Sequence, residues 1–144
     1  MRDNNIDIAK HFVQNRRVLF GECDPAGVMY TPRITECIVE GALKFVSDSL
    51  GEPFERFVFA RNMTLPARNL NVDFLKPVTW DDDLEIRAGL HELRTHSYTT
   101  QVVALNQSGI AAFSGLVTQV CVNTETKTIA KLPKELRSAL QRHE

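Results

Sequence analysis

Two hydrophobic periods divide the chain. From Pro32 to Leu50 the polar residues Glu36, Glu40, Lys44 and Asp48 recur at every fourth position, and nearly everything between them is apolar or small. That spacing predicts one long α-helix with a single narrow polar stripe, its Glu40–Lys44 pair in the favourable i,i+4 order. A helix that is apolar over most of its circumference is wrapped by other structure. Thr31 reads as N-cap, Pro32 as the first helical residue and Gly51 as the stop. Gly41 costs about 1 kcal/mol of helix propensity relative to Ala, and a close backbone approach to a sheet would account for it.

Beyond a loop rich in Phe and Arg (Phe54 to Arg61), the period becomes two. Leu70, Val72 and Phe74 alternate with Asn69, Asn71 and Asp73 until Lys76-Pro77 ends the strand. After a turn at Trp80-Asp81-Asp82-Asp83, Leu84, Ile86, Ala88 and Leu90 alternate with Glu85, Arg87, Gly89 and His91. A third strand covers about Ser97 to Leu105, and Asn106 to Gly109 turns the chain. A fourth spans about Ile110 to Val122, with Leu116, Thr118, Val120 and Val122 on one face. A short strand from about Asn15 to Phe20 precedes the helix, and Leu132-Pro133 opens a C-terminal helix carrying Leu136 and Leu140. No repeat or linker interrupts this order, so residues 1–144 read as a single domain. The expected fold class is α+β, an antiparallel sheet curled around one long central helix. Such a sheet leaves edges, which predicts pairing with a second copy.

The chemistry concentrates between Gly21 and Tyr30. Asp24-Pro25-Ala26-Gly27 has type I turn chemistry and sets a carboxylate just ahead of the helix. Free N–H groups at a helix N-terminus can hold a carbonyl oxygen as it becomes negative, so this pairing is the minimum of a hydrolytic site. Gly-x-Ser-x-Gly, Gly-x-Gly-x-x-Gly and Walker patterns are absent. Composition narrows the field further. A net charge of −1 provides no basic field for nucleic acid. No apolar run is long enough to span a bilayer, and Met1 to Asn5 lack a signal peptide's apolar core. Three cysteines without Cys-x-x-Cys spacing read as free thiols in a reducing cytoplasm. His11, His91, His96 and His143 lack metal-site spacing, so no metal or cofactor is expected.

The segment Asp24-Pro25-Ala26-Gly27-Val28-Met29-Tyr30, with the helix after it, resembles the 4-hydroxybenzoyl-CoA thioesterase branch of the hotdog-fold superfamily. Asp82-Asp83-Leu84-Glu85-Ile86, after a strand ending in an apolar residue and Pro, is similar too. The likeness runs from about Arg17 to Val122. It implies a hotdog fold, a homodimer or homotetramer, and hydrolysis of an acyl-CoA thioester at the dimer interface. It also implies that Asp24 attacks the carbonyl or activates a water, and that the Thr31 N–H polarises the carbonyl oxygen. A thioester is already electrophilic and its thiolate leaves easily, so one positioned carboxylate and one oxyanion donor suffice.

Each candidate has a plainer reading. Asp24 could simply open its turn, and Thr31 simply cap its helix; the wrapped helix and the family pattern favour the catalytic roles. Glu36 and Glu40 match another hotdog branch that carries its carboxylate on this helix, but their spacing favours a solvated or interface stripe. Val28, Met29 and Tyr30 are candidates to shape the acyl pocket. Arg94 and His96 stand where relatives place basic residues against the CoA phosphates, with isolated surface charge as the alternative. Val39 replaces an acidic residue common in relatives, which disfavours a hydroxybenzoyl group and suits an aliphatic or unsubstituted aromatic one. Two further readings stay open: the same chemistry on an acyl carrier protein, and a non-catalytic acyl-thioester binding protein that kept the fold.

Overall fold

Helix α1 (Thr31–Leu50) has 20 residues and lies across one face of an antiparallel sheet. In the computed structural model, residues 11–144 are described; the reading of Met1 to Asn5 falls outside them. Around the helix run β1 (Phe12–Arg17), α2 (Phe54–Phe59), β2 (Met63–Thr64), β3 (Ala67–Phe74) and β4 (Asp83–Leu93). They are followed by β5 (Ser97–Leu105), β6 (Ala111–Val120), β7 (Val122–Asn123) and α3 (Lys134–Gln141). The main sheet has five strands in the order β1-β4-β5-β6-β3, and β2 pairs with β7 beside it. This is the α+β arrangement that the alternating strands and the apolar helix imply, and the hotdog fold that the resemblance implies.

The helix packs as its period dictates. Ile38, Ala42, Phe45 and Val46 are fully buried against Leu84, Ile86, Ala88, Val102 and Phe113. Each large apolar side chain so buried contributes about 1.5–3 kcal/mol. Glu36, Glu40, Lys44 and Asp48 form the exposed stripe, flanked by half-buried Thr35, Val39 and Leu43. Gly41 does make the close approach: a Cβ there would lie 3.0 Å from Val102 Cγ1 and 3.3 Å from Ile86 Cγ2. Gly115 on β6 makes a second, since a Cβ there would meet Ile38 Cγ2 at 2.8 Å and the Asn71 carbonyl oxygen at 3.0 Å. The sheet and helix are therefore fitted through two missing side chains, one on each surface.

Several boundaries differ from the sequence reading. β1 begins and ends earlier, and Phe20–Glu22 is a short 3-10 turn, because Val18 instead bonds to Asp82 by its N–H. The Phe- and Arg-rich loop contains α2, whose Phe57 and Val58 are buried while Phe59 is exposed. The fourth strand breaks at Cys121 into β6 and β7. On β6, residues 111–115, Val117, Gln119 and Val120 are buried, and only Leu116 and Thr118, on the face expected to be apolar, are half-buried. β3 has no buried residue at all: it is an edge strand with Leu70 and Phe74 exposed. Its alternation is genuine, but the apolar side meets little of this chain. The cysteines are unpaired, Cys37 and Cys121 buried. Burial pushes the Cys37 thiol up to about 11. Among the described residues no helix is long and apolar enough to cross a membrane.

Candidate active site

The hairpin Gly21 to Tyr30 owes its shape to Asp24 and Gly27. The Gly27 N–H donates to the Asp24 carbonyl at 2.9 Å, and the Asp24 N–H donates to the Val28 carbonyl at 2.9 Å. Gly27 has φ +83°, which an L side chain rarely adopts. This is a type I turn followed by a one-residue bulge, the form that Asp-Pro-Ala-Gly encodes. The Ala26 N–H donates to Asp24 Oδ1 at 2.9 Å. That bond fixes the carboxylate of a half-buried residue and leaves Oδ2 without a hydrogen-bond partner among the described residues.

Two anchors hold the hairpin against the body. Met29 donates its N–H to the Val78 carbonyl at 2.6 Å, and Val28 bridges Thr79. On the other arm, Glu22 accepts from Arg16 Nη2 at 2.5 Å and from the Leu19 N–H at 3.0 Å. Burial opposes ionisation of Glu22, but the bonds from Arg16 and Leu19 outweigh it and hold its carboxyl below the usual range. Its bond to Arg16 on β1 makes Glu22 a clasp between the hairpin and the sheet.

Thr31 is not the N-cap. The helix begins at Thr31, and Tyr30 holds the cap position with φ −67° and ψ 134° and no side-chain cap bond. The shift by one residue matters chemically. Arg33 and Ile34 donate their N–H groups to the Tyr30 carbonyl at 2.8 and 3.1 Å, and Pro32 has none. Of the first four helical positions, only the Thr31 N–H is left without an acceptor among the described residues. It sits at the positive end of the helix dipole, equivalent to roughly half an elementary charge.

Thr31 is one of the residues that line a cavity of about 410 Å³. Val28 and Met29 of the hairpin and Thr31 and Ile34 of α1 form one side. The chain leaving β3, Phe74 to Val78, forms the other. Met29, Ile34 and Val78 are buried and make the floor, whereas Thr31, Phe74, Leu75 and Lys76 are exposed and make the rim. Asp24, Tyr30 and Val39 do not line it; Asp24 is half-buried at the hairpin turn, Tyr30 is exposed at the helix cap and Val39 lies on the half-buried flank of α1. Glu40 is exposed, and Glu36 pairs with Arg33 at 3.3 Å. The wall from Phe74 to Val78 escaped sequence reading, where Lys76-Pro77 marked only a strand end. Its one local signal is the loss of period two after Phe74.

Arg94 and His96 lie at the other end of the molecule. They occupy the β4–β5 turn, where Arg94 bonds Glu92 at 2.9 Å and Arg137 of α3 reaches the Arg94 and Thr95 carbonyls. The hairpin contacts Val78 and Thr79, before β4 begins. The 11 residues of β4 separate the two regions, roughly 35 Å at strand rise. Within one chain these side chains do not join the cavity.

The hairpin thus carries a fixed carboxylate at its turn, and its Val28 and Met29 join Thr31, whose N–H has no acceptor among the described residues, in lining a largely apolar cavity. Residues 18–140 match the family described as the thioesterase-like superfamily. Among curated proteins, the 1,4-dihydroxy-2-naphthoyl-CoA hydrolase of Acaryochloris marina (strain MBIC 11017) is 26% identical over 131 residues, covering 88% of this chain and 93% of that protein. The long-chain acyl-CoA thioesterase FadM of Escherichia coli (strain K12) is 29% identical over 87 residues, 60% of this chain and 66% of that one. The solved structure of the gentisyl-coenzyme A thioesterase BH1999 superposes with a TM-score of 0.79 at 25% identity, covering 90% of this chain and 99% of that one.

Proposed function

The chain belongs to the thioesterase-like superfamily, a family of thioester hydrolases, and from that premise we propose that it hydrolyses an acyl-CoA thioester to the free acid and CoA at the Asp24–Thr31 site. The observation that carries this reading is a Thr31 N–H without an acceptor among the described residues, on a residue that lines a largely apolar cavity; the same hairpin that lends Val28 and Met29 to that cavity holds Asp24 with one carboxylate oxygen free. The acyl group enters the cavity and the carbonyl oxygen accepts from the Thr31 N–H, whose hydrogen bond strengthens as that oxygen becomes negative. Asp24 then acts on the carbonyl carbon by one of two routes. As a base it takes a proton from water while the water oxygen bonds to carbon; the C–S bond breaks and the thiolate recovers the proton. As a nucleophile it forms a mixed anhydride that water opens in a second step. A single turnover in ¹⁸O water separates the routes, because only the anhydride route can leave label in Asp24.

A second copy fits the same reading. β3 presents a free edge with Phe74 at once on the strand and on the cavity rim. Antiparallel pairing of two such edges would cover that edge and place a second chain beside the site. Any role for Arg94 and His96 with the CoA phosphates then falls to those of the second copy.

The test is thiol release from a panel of acyl-CoAs by wild type and Asp24→Asn. Asn keeps the oxygen that accepts from Ala26, so the turn should survive. Turnover should fall by about 10²–10⁴-fold. Undiminished activity would move the carboxylate elsewhere, with Glu36 and Glu40 next. Faster release from an acyl carrier protein than from CoA would reassign the carrier. Tight binding without turnover on either would support a binding protein.

A further inference from the structure

Granting the cavity to be the acyl pocket of that reaction, we infer that this chain selects an unsubstituted hydrocarbon acyl group, with Met29, Ile34 and Val78 as the end wall that sets its length. A carbonyl held by the Thr31 N–H at the rim directs the acyl group inward. The floor it meets carries no charged side chain and no hydroxyl, amide or amine. The one charged side chain on the wall, Lys76, belongs to the exposed rim, away from the acyl terminus. A hydroxyl or carboxylate at the far end of the acyl group would therefore be buried without a side-chain partner, which costs a binding site strongly.

Size points the same way. An apolar cavity of about 150 Å³ holds a benzene. The 410 Å³ here is well over twice that. At about 30 Å³ per non-hydrogen atom, part of it lost to the open mouth, it holds on the order of ten such atoms. An aliphatic chain of middle length fills it; a two-carbon group leaves it empty. Each methylene added before the wall is reached should raise kcat/KM by about fourfold. Val39, the position that suggested the same acyl class from sequence, takes no part in this wall.

The experiment measures kcat/KM of the full chain for acetyl-, butanoyl-, octanoyl-, hexadecanoyl-, benzoyl- and 4-hydroxybenzoyl-CoA. Wild type should prefer octanoyl to acetyl by at least a hundredfold, and benzoyl to 4-hydroxybenzoyl by about tenfold. Ile34→Phe, which extends the floor into the cavity, should lower the octanoyl-to-butanoyl ratio at least tenfold. Val78→Ala, which deepens it, should move the optimum to longer chains. A preference for the hydroxylated acyl group, or a chain-length profile unmoved by both substitutions, overturns the inference. The thioethers S-octyl-CoA and S-(4-hydroxyphenacyl)-CoA, titrated calorimetrically, keep the two readings apart. Octyl preferred without any acyl-CoA turnover would sustain the pocket and remove the hydrolysis. Equal binding of the two thioethers would remove the pocket whatever the activity.

Discussion

Replacing Thr31 by proline isolates the proposed oxyanion donor from everything else at the helix start. The substitution deletes one N–H, and that N–H makes no hydrogen bond within the described residues. Proline is accommodated in the first turn of a helix, where its missing donor is unused. The preceding Tyr30 already has φ −67° and ψ 134°, the extended conformation that a residue before proline adopts. The bonds from Arg33 and Ile34 to the Tyr30 carbonyl do not involve residue 31. Folding stability should therefore stay within about 1 kcal/mol of wild type. Catalysis should not. Removal of one backbone donor to a developing oxyanion costs about 2.7–4 kcal/mol, a fall of about 10²–10³ in kcat. Thr31→Ala is the control, since it keeps the N–H, and the carbonyl that accepts from Thr35, and removes a hydroxyl that makes no hydrogen bond among the described residues. Initial rates of thiol release, with urea unfolding of the same samples, decide the matter. A folded Thr31→Pro enzyme with near wild-type kcat would refute the assignment, and so would an equal loss in Thr31→Ala.

Other expectations follow from the packing and the charges. Gly115→Ala should destabilise by about 1–3 kcal/mol, because its Cβ would meet the stiff Ile38 side chain at 2.8 Å and the Asn71 carbonyl at 3.0 Å; the urea midpoint measures it, and an unchanged midpoint would mean that β3 yields freely. Glu22→Ala removes the clasp on the hairpin and leaves the Arg16 guanidinium unpaired, so stability should fall by about 1–3 kcal/mol with kcat falling alongside. Stability should decline as pH drops below about 6.5 towards 5, before most carboxylates titrate. His11 accepts the Leu90 N–H at 3.2 Å, and burial lowers its pKa. His143 donates Nε2–H to Ser49 at 3.0 Å, because the Ser49 hydroxyl is spent on the Phe45 carbonyl. Burial, then His11 and Arg142, lower the His143 pKa, while Asp48 opposes them. Both imidazoles thus titrate lower folded than unfolded, so the unfolded chain binds more protons in that window. Melting temperatures across pH 5–8 should flatten there in His143→Gln; an identical slope in the variant would exclude the pair as its source.

What the sequence determined by itself was whatever depends on near neighbours. The body of α1 and its stop at Gly51 follow from the four-residue stripe and a glycine with φ +74°. The β4 strand follows from alternation, and the Asp24 turn follows from four residues that each prefer their place in it. Even Gly41 was legible, because a helix-weakening residue amid apolar neighbours needs a packing reason. Tertiary structure decided the rest. Pro32 is compatible with the first or the second helical position, so only the fold could show that the helix begins at Thr31 and that its N–H has no acceptor among the described residues. The cavity exists because Met29 hydrogen-bonds to Val78, 49 positions away, and brings the end of β3 over the helix start. Local propensity carries no trace of that pairing. Nor could periodicity reveal that β3 is an edge, or that an 11-residue strand removes Arg94 and His96 from the site. Period and turn chemistry report each residue's own backbone; a cavity at a helix start is built from contacts between residues far apart in the chain, and those appear only once the chain has closed on itself.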